Sequence, residues 1–61
     1  MKKEFAERVV KNGVVDTRKY RYVSKIESEY RDGAWREITM IYRKRPIDLD
    51  TTADWEAVAE V

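Results

Sequence analysis

The sequence predicts an α+β domain: a small antiparallel β-meander of three to four strands with one C-terminal α-helix packed on one face. Three observations carry that expectation. Asp32-Gly33 sits between two long runs rich in β-branched and aromatic residues, the pattern of a hairpin. Asn12-Gly13 repeats the turn signal between two pairs of valines. Trp55, Val58 and Ala59 fall at i, i+3 and i+4 near the chain end, a helical spacing.

The central hairpin is the firmest element. Asp followed by Gly suits a type I turn closed by a left-handed residue, a conformation that Gly takes without strain. Closing a three-residue loop at Arg31-Asp32-Gly33 sets Tyr30 opposite Ala34, Ile26 opposite Ile38, Ser24 opposite Met40 and Tyr22 opposite Tyr42. Strand side chains alternate, so these share one face. The other face then carries Arg21/Arg43, Val23/Ile41, Lys25/Thr39, Glu27/Glu37 and Glu29/Trp35. A two-residue loop mixes apolar and charged residues on both faces, so the three-residue register is preferred, with strands over 20–30 and 34–44. Pro46 ends the second strand because it has no N–H for the ladder.

Beyond an extended connector through Ile47 and Leu49, a helix is expected. Thr51-Thr52-Ala53-Asp54 approximates a capping box, with Asp50 as the rival cap, and Asp50, Asp54 and Glu56 suit the positive end of the helix dipole. The N-terminal segment admits two readings. Residues 9–15 read as a hairpin around Asn12-Gly13. Residues 2–11 read as a helix with Phe5 and Val9 four apart and Asn12-Gly13 as its C-cap. The hairpin is preferred, because two adjacent valines weaken a helix end.

Sixty-one residues allow a single domain over 1–61. A chain of this size buries only about 60% of its unfolded surface, and small folds gain stability from disulfides, metals or oligomerisation. The absence of Cys and His leaves a well-idealised fold or a homo-oligomer, and a homodimer is one of the two expected states. The same absence removes an imidazole base and a thiolate nucleophile. Both glycines are accounted for by turns, which leaves no Gly-rich phosphate loop. Enzymatic activity, a cofactor and a metal are therefore not expected. Asp48-x-Asp50 with Asp54 lacks the central Gly and terminal Glu of a calcium loop, and helix capping accounts for it better. Glu27 and Glu37 read as two exposed carboxylates rather than an acid–base pair. The start lacks the apolar core of a secretory signal, and no stretch approaches the length of a membrane span. A soluble cytoplasmic protein with no membrane partner is expected.

Charge is sorted along the chain. Residues 1–45 hold all 13 Lys and Arg against seven acids, a balance of +6, while residues 46–61 hold five acids and no base. Such sorting bears on partners. The expected function is nucleic-acid (DNA) binding through a basic, tyrosine-rich β-ribbon. Arg18, Lys19, Arg21, Arg43, Lys44 and Arg45 would meet phosphates, and Tyr20 or Tyr22 would stack on bases. The alternative, from another class, is a small protein-binding regulator or inhibitor. It would use an apolar strip of Val23, Trp35 and Ile41, and an acidic C-terminal helix presenting Asp54, Glu56 and Glu60.

Overall fold

The computed structural model describes residues 1–61. A helix α1 (Lys3–Asn12) leads into a short strand β1 (Val14–Asp16). Two long strands follow, β2 (Arg21–Arg31) and β3 (Ala34–Lys44), then a single 3-10 turn (Pro46–Asp48) and a last strand β4 (Glu56–Glu60). The strands form one antiparallel sheet in the order β1-β2-β3-β4, a plain meander. The α+β class and the meander stand as expected. The helix lies at the N-terminus, not the C-terminus.

Two local expectations are thereby corrected. Residues 3–12 form a helix, the second of the two readings this segment admits, and not a hairpin. Gly13 closes it at φ 81° with its N–H bonded to the carbonyl of Val9 at 2.8 Å, so Asn12-Gly13 is a helix terminus rather than a hairpin turn. The cost of adjacent valines is offset by packing: Val9 is fully buried while Val10 points outward. The C-terminal segment forms β4 instead of a helix. Ala57, Val58 and Ala59 line up beside Met40–Arg43, with Val58 as the extra residue of a bulge. Thr51 shapes the preceding turn, donating its hydroxyl to the Asp48 carbonyl at 2.8 Å and accepting from the Ala53 N–H at 3.1 Å.

The hairpin closes on two residues, not three. Asp32 (φ 54°) and Gly33 (φ 80°) are both left-handed, the signature of a type I′ turn, whose twist matches the flanking strands. Arg31 therefore pairs with Ala34 and Tyr30 with Trp35. Ile26 lies opposite Thr39, and Ile38 opposite Glu27. The one-residue slip moves every β3 side chain to the other face relative to β2. Ile26 and Ile38 lie on adjacent strands but on opposite sides of the sheet.

The core is small and sits at one end. α1 lays Ala6 and Val9 on Ile41, with Phe5, Val15, Tyr22, Val58 and Ala59 packed around them. Phe5 meets Tyr22 edge-on at 4.9 Å between ring centroids. β1 pairs with β2 only as far as Val23, and β4 pairs with β3 only from Met40 to Arg43. Beyond that base, β2 and β3 continue alone as a two-stranded arm, giving the molecule extents of 40 × 28 × 16 Å. No helix is long and apolar enough to cross a membrane.

Candidate functional site

The basic end of the hairpin is built largely from internally paired cations. Arg21 binds the Asp16 carboxylate across the β1–β2 pair, its Nε 2.6 Å from Oδ1. This bond, with the guanidinium charge behind it, holds the Asp16 carboxyl below its ordinary range. Arg43 reaches Glu56 of β4 at 2.9 Å and lies 4.1 Å over the Tyr20 ring. Its pKa rises, first because of the bond to Glu56. Arg45 reaches Asp48 at 2.8 Å. Lys44 is buried, with Nζ 3.4 Å from the Thr51 carbonyl and 5.6 Å over the Trp55 ring. Arg18 and Lys19 are exposed at the tip of the 17–20 turn, which Thr17 and Tyr20 close through three hydrogen bonds of 2.8–3.1 Å.

The register also divides these residues. Arg43 and Tyr22 share the face covered by α1, whereas Arg21 and Lys44 share the opposite face. Tyr22 is half-buried, packed edge-on against Phe5 at 4.9 Å and against Tyr20 at 5.9 Å. Of the eight residues read as a ribbon, only Arg18 and Lys19 present charge that no internal partner takes up. The acids of the expected acidic helix are likewise dispersed. Glu56 holds Arg43, Glu60 holds Arg31 at 2.9 Å together with Glu29 at 2.6 Å, and Asp54 lies exposed before β4. Asp48 is engaged by Arg45, and no group of three carboxylates gathers to hold a metal ion.

The strip read as Val23, Trp35 and Ile41 is not a single surface. Ile41 is fully buried beneath α1, and Val23 lies on the far face beside Lys25, Tyr42 and Trp55. A different apolar surface takes its place. On the α1 side of the arm, beyond the helix, Ile26, Tyr30 and Trp35 are 68%, 62% and 73% exposed. Tyr30 and Trp35 are cross-strand partners, with ring centroids 5.6 Å apart at 68°, the edge-to-face geometry favoured by aromatic quadrupoles. The other outward positions here are Ser28, Glu37 and Thr39. No cation shares this face of the arm.

The opposite face of the arm is charged and only partly paired within the chain. Lys25, Glu27, Glu29, Arg31 and Arg36 line it beside Ile38 and Met40. The Tyr42 hydroxyl donates to the Glu27 carboxylate, and Arg31 bridges Glu29 and Glu60. Charges of this kind guard bare strand edges against unwanted pairing. Tyr30 and Ile26 were missed as surface residues because the three-residue loop turned them toward an expected helix. The signal that could have found them is Asp32-Gly33 itself, a favoured pair for two-residue type I′ turns. No family model, curated protein or solved structure matches this chain.

Proposed function

We propose that this chain is a non-enzymatic protein-binding module whose contact surface is the bare face of the β2–β3 arm, centred on Trp35, Tyr30 and Ile26. The observation that carries this reading is exposure of an aromatic pair on a two-stranded extension with no second layer. A two-stranded hairpin is marginal in water by itself and gains stability from a third element. Aromatic anchors surrounded by polar residues are the usual composition of a protein contact. A nucleic-acid stacking platform couples aromatics with cations that follow the phosphates. This face offers Glu37 and no cation, which favours a protein surface over a phosphate backbone.

The reading is tested with a photo-crosslinking residue at position 35, and at the solvent-exposed Glu4 of α1 as the control. Crosslinks to polypeptide that form from position 35 and not from position 4 are the expected result. Fluorescence anisotropy with labelled duplex and single-stranded DNA supplies the opposing outcome. Micromolar binding that falls steeply with salt, survives Trp35→Glu and is lost on replacing Arg18 and Lys19 would overturn the reading in favour of nucleic acid.

A further inference from the structure

Resting on that reading, we infer that the partner of the arm is a second copy of this chain, packed face to face about a two-fold axis through the Ser28–Glu37 rung. The first ground is area. A compact 7.3 kDa monomer exposes about 4,200 Å² by surface-to-mass scaling, and this chain exposes 4911 Å². The excess of roughly 700 Å² is close to the ~800 Å² per partner of a standard protein interface. Shape agrees: a compact domain of 61 residues has a radius of gyration near 10.5 Å, against 12.6 Å here. In the arm, Tyr30 and Trp35 are 62% and 73% exposed and together present on the order of 300 Å² to solvent.

The second ground is the order of side chains along the bare face. Outward from the helix it runs Ile26–Thr39, then Ser28–Glu37, then Tyr30–Trp35. Apolar character thus brackets a polar rung, and the pattern is nearly the same read from either end. A two-fold axis through the middle rung, perpendicular to the strands, lays Tyr30 and Trp35 of each copy on the Ile26–Thr39 rung of the other. The arms then run antiparallel, and each helix stays clear at the outer end. Isologous contacts require a surface that complements itself in this way. The face carries no cation, so it offers an acidic or basic partner nothing except the Glu37 carboxylate.

The register has a consequence that other occupants do not share. It brings the two Glu37 side chains opposite each other near the axis, where like charges oppose association. Glu37→Gln should therefore tighten the dimer by about fivefold in Kd. The groups facing Glu37 in this arrangement are its own copy in the partner and the two Ser28 hydroxyls, with Lys25 and Arg36 on the far face of the sheet.

Sedimentation equilibrium of the full chain from 1 to 100 µM provides the test. A species at twice the 7.3 kDa of one chain is expected, converted to monomer by Trp35→Glu with an unchanged circular dichroism spectrum. A monomer throughout the range would overturn the proposal, as would a dimer that Trp35→Glu leaves intact or that Glu37→Gln weakens. If the chain stays monomeric while position 35 still crosslinks to another polypeptide, the self-association inference fails and the protein-binding reading stands. If position 35 captures nothing and the chain is monomeric, both fail.

Discussion

The base of the sheet and its arm are made from the same two strands, yet they obey different rules. At the base, β2 and β3 gain β1 and β4 as neighbours and α1 as a cover, and Val9 and Ile41 lose all solvent contact. In the arm the same strands run on with both edges bare, and Ile26 and Trp35 are largely exposed. Burial, not strand propensity, separates the two. Residue types that make strands are equally present in both halves, but only the base receives a second layer. Stability therefore resides at the base, and the arm is free to be used for contact.

Substitutions that break this contrast are ranked by how much burial they remove. Ile41→Ala empties the centre of the core and should cost about 3 kcal/mol in urea-induced unfolding. That is a large fraction of what a domain this small possesses. Trp35→Ala in the monomer should change stability by no more than about 0.5 kcal/mol, despite removing the larger side chain. A core-sized cost at Trp35 would mean the arm is packed within the chain. Gly13→Ala and Gly33→Ala lie between those two. Both glycines hold φ near +80° with open space around the missing Cβ, so each substitution should cost about 1 kcal/mol through the backbone alone. The two should differ in reach: loss at Gly13 loosens α1 and the core, and loss at Gly33 frays the arm tip. Amide exchange resolves this, since arm amides should already exchange through openings far cheaper than global unfolding.

The smallest expected effect is alkaline. The Tyr42 phenol is pushed above its ordinary value of 10, first by its bond to Glu27 and then by desolvation. A group whose folded pKa is raised favours the fold while protonated. Its contribution is therefore complete below the unfolded value and is lost as pH rises through the folded one. Thermal unfolding between pH 8 and 12 should show a steeper alkaline decline in the wild type than in Tyr42→Phe. Identical slopes would mean the Tyr42–Glu27 bond, which ties arm to base, carries no weight.

Part of this organisation is legible without coordinates. The central hairpin is, because Asp32-Gly33 and the flanking runs are local signals confined to a few adjacent residues. The α1 boundary was present as the spacing of Phe5 and Val9 ahead of Asn12-Gly13, and was outweighed by the low helix propensity of paired valines. Packing reversed that preference, since Val9 finds Ile41 across the sheet. The cationic ribbon was legible as composition only. Its neutralisation depends on Asp16, Glu56 and Asp48 reaching Arg21, Arg43 and Arg45, and no charge count reveals such pairings.

By itself, then, the sequence determined the α+β class, the antiparallel meander, the position of the central hairpin, and a small core with much charge around it. These follow from short-range turn chemistry and from residue type. Tertiary structure alone decided that residues 56–60 form a strand. Trp55, Val58 and Ala59 have helical spacing, but a short terminal helix has too few internal bonds to offset its nucleation. The outer edge of β3 supplies a ready ladder, with Arg43 and Arg31 to receive Glu56 and Glu60 from 13 and 29 residues away. Tertiary structure also decided which face is bare. Once the turn closes on two residues and α1 covers the base, the aromatic pair at the tip has nothing left within the chain to cover it.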